Sequence, residues 1–230
     1  MTFLYIILGI IPSLIWLSIY LKEDENPEPN RLILQVFFLG ALAAPVAAGM
    51  EYLFVSFFEA LPIPIFFINL LVFFVAIALV EEFWKYAMVK ISVVRQKAFD
   101  EPADAMIYLI VAALGFAAVE NILAIFTFTS TTSGAFEITI LRFLSATLLH
   151  VLTSAIVGYY LAREHFFLRK RSVLWGIAIA TFLHGLYNIL TLASNGFENI
   201  LVTIYIVGLL GFMAIGVNVL FYKLKRDYYK

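Results

Sequence analysis

The sequence predicts an all-α, polytopic membrane helix bundle with about seven transmembrane helices (eight possible), and three observations carry that reading. Of 230 residues, 63% are hydrophobic and 13% charged, with a mean hydropathy of +0.99. An ordinary soluble domain has about 25% charged residues. Seven apolar segments, each near the ~20 residues that a helix needs to cross the hydrocarbon core, are separated by short polar connections. Basic residues crowd into alternate connections.

The segments fall at about residues 2–21, 33–58, 65–92, 105–128, 139–161, 173–193 and 200–222. The first has no basic leader and no small-residue cleavage site, and Lys22 follows it, so it reads as a retained helix and not a signal peptide. Pro12 and Pro45 fall inside the first two segments and predict kinks. Pro27, Pro29, Pro62, Pro64 and Pro102 sit in connections, where they stop helices. The 23 phenylalanines are spread over every segment, as lipid-facing and packing residues would be, and Trp16, Trp84 and Trp175 read as packing or interface anchors. No repeat, low-complexity tract or linker divides the chain, so residues 1–230 read as one membrane domain.

The odd connections hold Lys22 and Arg31, then Lys90, Arg95 and Lys97, then Arg163, Arg169, Lys170 and Arg171; the tail adds Lys223, Lys225, Arg226 and Lys230. The even connections, around EALPIPIFF, TFTSTTSGAFEI and ASNGFENI, contain neither Lys nor Arg. The positive-inside rule therefore predicts a cytoplasmic C-terminus and an N-terminus outside. There are no cysteines, which excludes disulfides, thiolate metal sites and a cysteine nucleophile. With almost no chain left for a soluble domain, any chemistry belongs among the helices.

Ionisable side chains at bilayer depth cost about 2.5–3.5 kcal/mol each on insertion scales, so each needs a reason. Counting from the basic ends of their segments at 1.5 Å per residue places Glu81, His150 and His184 roughly 16 Å deep, and Glu120 roughly 22 Å. Four segments thus bring titratable groups to nearly one level. Glu81 and Lys85 are four apart and share a face, as do His184 and Asn188, with Gly185 between them admitting a close neighbour. Glu82 points about 100° away from Glu81, which predicts that at most one of them aims at a common centre. Glu51 and Glu59 read as interfacial, and His165 as part of a basic loop.

Each residue also has a structural reading. The Glu81–Lys85 pair can be an internal bridge, His150 a hydrogen-bonded packing residue, Glu120 and Asn121 a staple between helices, and Arg142 a snorkelling counter-ion. Taken together, two carboxylates, two imidazoles and an amide can support hydrolysis. A buried glutamate can activate water, while His184 and Asn188 can hydrogen-bond an oxyanion. Neither GxSxG nor HExxH occurs. Two histidines and a glutamate can equally form a His2Glu zinc site with an open position, and the sequence leaves both open.

In order, EEFWK (Glu81 to Lys85), FDEPADAMIY (Phe99 to Tyr108), GFAAVEN (Gly115 to Asn121), LRFLSATLLHVLTSAIVG (Leu141 to Gly158) and FLHGLYN (Phe182 to Asn188) resemble the motif set of the PrsW family of intramembrane proteases. The likeness spans about residues 66–190, the expected catalytic core, and the first two segments and the last match only in character. The best-known bacterial members act as site-one proteases on membrane-anchored anti-sigma factors, in one superfamily with CAAX-processing endopeptidases and Abi proteins. The resemblance implies Glu81 as water-activating base, Glu82 as a supporting carboxylate, His184 and Asn188 as oxyanion stabilisers, and Glu120 and His150 as cavity lining, with Lys85, Asn121 and Arg142 in support. It favours a metal-free site, with zinc through Glu81, His150 and His184 as the alternative.

The sequence departs from the CAAX-processing pattern, in which EExxxR opens the set and FxxxH closes the second motif. Lys85 comes one residue before that Arg, and Glu120 stands where that His would be, so prenyl-protein specificity does not carry over with the resemblance. DEPAD reads as a helix start with Asp104 as N-cap. The expectation is an endopeptidase in a prokaryotic plasma membrane, whose partners are a membrane-anchored protein substrate and the lipid bilayer, not nucleic acid. A proton-coupled transporter or channel, and a non-catalytic scaffold with the protease fold, are the competing readings.

Overall fold

The computed structural model describes residues 1–23, 26–195 and 198–228. Lys230 of the basic tail and Gly196 and Phe197 of the sixth connection lie outside the described residues. The apolar segments wind into helices because in lipid every backbone polar group must be satisfied within its own segment. The helices are α1 (Thr2–Tyr20), α2 (Asn30–Glu59), α3 (Ile65–Leu70), α4 (Val80–Ser92), α5 (Pro102–Phe128), α6 (Thr132–Leu144), α7 (Ala146–His165), α8 (Ser172–Ala193) and α9 (Ile200–Tyr228). Together they form seven spans long and apolar enough to cross a membrane, and no strand occurs among the described residues.

Three spans differ from a simple reading of hydropathy. The third is interrupted by a nine-residue π-helical segment, Leu71–Leu79, between α3 and α4. Wider i→i+5 winding leaves no mark on apolar content, which is why hydropathy misses it. The fifth extends back to Thr132 and breaks at Ser145 (φ −124°, ψ −87°), whose hydroxyl bonds Leu141 O at 2.5 Å. Thr131 caps its start by accepting from Gly134 N, so polar residues that depress hydropathy still fold as helix. The fourth begins at Pro102 and not at about 105. Proline occupies N1, and Asp104 lies at N3, where its carboxylate accepts from the N–H groups of Asp100 and Glu101 at 2.9 and 2.7 Å. Asp104 therefore caps the helix, but from inside its first turn.

The helix α5 is the central mast: its apolar window is 72% buried, against 22% for α9 at the periphery. It packs chiefly against α1, α2 and α7. Close approach to α2 depends on two glycines facing opposite ways across the contact. A Cβ at Gly40 would collide with the carbonyl of Ala112, and one at Gly115 with the carbonyl of Phe37. Without a hydrophobic drive between helices in lipid, such backbone proximity supplies the dispersion contact. Gly185 on α8 admits the Phe74 ring of the π-helical segment in the same way.

Gly115→Leu should therefore lower the thermal unfolding midpoint in detergent, at a cost of at least about 1–3 kcal/mol from overpacking. Gly208→Leu, whose new Cβ meets no atom within 4 Å, should leave the midpoint nearly unchanged.

Candidate active site

Where the π-helical segment ends, Glu81 and Glu82 occupy the first turn of α4, with Lys85 one turn further on. Spacings of four and three bring the ammonium to both: Lys85 Nζ lies 3.2 Å from Glu81 Oε2 and 3.0 Å from Glu82 Oε1. Its third hydrogen bond, 2.7 Å, goes to His150 Nδ1 on α7, and the Phe116 ring centroid is 4.7 Å away. Glu81, Glu82 and Lys85 are 3%, 0% and 0% exposed, so a partner missing from this set would leave an uncompensated buried charge.

The partners fix both histidine tautomers. Lys85 can only donate, so His150 Nδ1 accepts and Nε2 carries the proton, donating to Glu120 Oε2 at 2.6 Å. A carboxylate can only accept, so His184 Nδ1, 3.0 Å from Glu82 Oε1, is the protonated nitrogen of that ring. Each imidazole is thus held from behind by a carboxylate and turns its other nitrogen towards Glu81. His150 Nδ1 and His184 Nε2 lie 3.7 and 3.8 Å from Glu81 Oε2.

Around this centre Glu82 Oε1 also accepts from Thr153 Oγ1 at 3.0 Å, while Glu82 Oε2 is buried without a hydrogen-bond partner among the described residues. Glu120 Oε2 pairs with Arg142 Nη2 at 3.3 Å. Arg142 Nε donates to Asn121 Oδ1 at 2.5 Å, and Asn121 Nδ2 donates to Thr147 Oγ1 at 3.0 Å. A cavity of about 470 Å³ opens on the cluster, lined by Glu81, Glu120, Arg142, His150, His184 and Asn188. Phe73, Ile77, Leu123 and Leu149 form an apolar wall. Thr127, Phe128 and Thr191 also line it, so it runs from the cluster towards the ends of α5 and α8 that lack Lys and Arg.

Every residue taken from the sequence as a candidate catalytic or supporting group reaches this network or its cavity. No hydrogen bond holds the Asn188 side chain among the described residues. Two expectations change. Both adjacent glutamates serve the common centre, Glu82 on Nδ1 and Glu81 facing Nε2 of the same imidazole, because two flexible side chains 100° apart can straddle a ring. Glu51, expected at the interface, lines the cavity from α2. Nothing in its local sequence separates a cavity-facing glutamate near a helix end from an interfacial one. Thr153 was also missed, although it lies three residues after His150 and so on the same helix face.

A family model described as PrsW family intramembrane metalloprotease matches residues 28–216. The chain belongs to the PrsW family. Its relatives include Protease PrsW of Oceanobacillus iheyensis, 33% identical over 95% of this chain and 93% of the relative. Protease PrsW of Geobacillus kaustophilus is 33% identical over 81% and 79%, and that of Bacillus subtilis 32% identical over 81% and 83%. No solved structure matches. This PrsW family member is a multi-pass membrane protein and an intramembrane peptidase, which sets aside the transporter and scaffold readings.

The family description implies a metal, and the donor set fits one. One oxygen of Glu81 and one nitrogen each of His150 and His184 lie within 4.8 Å of one another. Zinc bonds of about 2.0–2.2 Å in tetrahedral array put ligand atoms roughly 3.3–3.5 Å apart, a few tenths of an ångström from the spacings to Glu81 Oε2. Carboxylates behind both imidazoles are the usual outer partners of metal-bound histidine. Geometry and family description are thus both compatible with a metal at these three residues, the alternative to the metal-free expectation.

Thr153→Val keeps the side-chain shape and removes one charge-assisted hydrogen bond to Glu82. It should cost about 1.5–3 kcal/mol in thermal unfolding. Unchanged stability would mean that the hydroxyl spends its hydrogen on Leu149 O, 3.1 Å away.

Proposed function

We propose that this PrsW family member is a metal-dependent endopeptidase of the cell membrane that cuts a membrane-anchored protein from the side opposite its basic loops. An anti-sigma factor is the substrate class suggested by the resemblance. The observation that carries this reading is the pair of carboxylate-backed imidazoles facing Glu81 in one cavity. Glu81, His150 and His184 would hold the metal, which when bound supplies Lewis-acid polarisation of the scissile carbonyl and a more acidic water.

The remaining groups divide the work by access. Glu120 lines the cavity, which supports a role in taking the proton of the attacking water and returning it to the leaving amine. Arg142, which pairs with it, keeps this carboxylate in place. Asn188, whose amide has no hydrogen-bond partner among the described residues, lies on the cavity wall and donates to the carbonyl oxygen as negative charge develops. With Nδ1 protonated by the demand of Glu82, His184 presents an acceptor, which suits a ligand better than the oxyanion donor expected from the sequence. The apolar wall receives an extended segment of a span and limits water access. The mouth at the Lys- and Arg-free end supports cleavage near the outer membrane face, given the orientation expected from charge.

One observation favours a metal-free variant: Lys85 Nζ occupies the lone pair of His150 Nδ1. In that form Glu81 itself removes the proton from water.

With purified protein in detergent and a membrane-anchored anti-sigma factor as substrate, Glu81→Gln and His184→Ala should abolish cleavage, and Asn188→Ala should slow it about 10²–10³-fold. Cleavage by either of the first two variants at the wild-type rate sinks the assignment. Elemental analysis should find one zinc per chain, absent from His150→Ala and His184→Ala, with affinity about 10–100-fold weaker in Glu82→Gln and Glu120→Gln. Full activity in chelator without zinc selects the metal-free variant.

A further inference from the structure

At the basic end of the bundle, far along the helices from the catalytic cavity, a second cavity of about 220 Å³ lies between the last turns of α7 and α9. Arg163, Arg169 and Lys223 line it, with Asp227 as the one carboxylate. Asp227 is already paired with Arg226, 3.3 Å away and outside the cavity lining. Arg163 is seated over the Tyr159 ring, 5.8 Å from its centroid. The site therefore offers three cations to an anion and has one shared negative charge of its own.

A second, independent observation extends it into the membrane. An apolar groove of about 350 Å³ runs along the same pair of helices, with α8 as its third side. Its α7 wall includes Ile156 and Tyr160, seven and three residues before Arg163, and its α9 wall includes Gly216 and Leu220, seven and three residues before Lys223. Offsets of seven and three keep a residue on one helix face, so groove and basic cavity follow one seam. Seven residues of rise separate them by roughly 10 Å. Gly216 leaves open space in the groove, since a Cβ there would meet no atom within 4 Å.

We propose that this seam is a binding site for one anionic phospholipid. Its phosphodiester headgroup sits among Arg163, Arg169 and Lys223, and an acyl chain lies in the groove beside Gly216. A soluble anion would use the cations alone and leave the groove unexplained. Bulk lipid would use the groove and show no preference for charge. Clustered Lys and Arg at the membrane surface, joined to a chain-shaped apolar groove, select a ligand with both parts.

The test uses the full-length protein in detergent, titrated with dioleoyl-phosphatidylglycerol, dioleoyl-phosphatidylcholine or inorganic phosphate, and read by native mass spectrometry and thermal shift. Phosphatidylglycerol should give one retained adduct per chain and a rise in unfolding midpoint that phosphatidylcholine does not match. Arg163→Gln and Lys223→Gln should each weaken its retention about five-fold, the effect of losing one cation near an anionic headgroup. Gly216→Leu, which fills the groove without a clash at Cβ, should weaken retention with the cations intact. Equal retention of both lipids overturns the proposal, as does a matching thermal shift with inorganic phosphate alone. Preference for phosphatidylglycerol that survives both charge variants overturns it too.

Discussion

Everything about this bundle is conditioned by the need to neutralise charge in a place without water. Lys85 is the hinge of that constraint. A fully buried ammonium is tolerable only because its three hydrogens meet Glu81, Glu82 and His150 and a Phe116 ring lies beside it. Satisfying Lys85 brings α4 to α7, and satisfying Glu82 brings α4 to α8. His150 then reaches Glu120 on the central mast, and Glu120 reaches Arg142 on α6. Five helices are tied by polar contacts through a core that is otherwise hydrocarbon.

In the function proposed above, the same ties also serve the chemistry. By holding the outer nitrogens of both imidazoles, Glu82 and Glu120 determine which nitrogens face Glu81, so the tautomers are set before any ligand arrives. A network needed for stability is thereby also a preorganised donor set. Lys85 links the two roles, since the His150 Nδ1 to which it donates is also the nitrogen facing Glu81 Oε2, 3.7 Å away.

Much of this was legible in the sequence, and the reasons differ by residue. Hydropathy located seven spans because length and apolar content are all that crossing a bilayer demands. Depth counting grouped Glu81, Glu120, His150 and His184 because polar residues stand out against apolar segments. Facing was harder to read. The π-helical segment before Glu81 and the break at Ser145 change rotation without changing hydropathy, so neither was foreseen. Glu51 and Thr153 were missed because a glutamate near a helix end and a threonine in a helix have ordinary uses elsewhere. Likewise Asp104 looked like a first residue of a helix, and Pro102 two positions earlier moved the start.

The central claim is that Lys85 and the α4 glutamates compensate one another in a dry interior, and a double-mutant cycle on thermal unfolding in detergent tests it most directly. Lys85→Met alone should destabilise by about 3–5 kcal/mol, and adding Glu82→Gln should recover a large part of that loss. If the two substitutions are each mild and their effects simply add, these groups are separately solvated and the compensated centre does not exist.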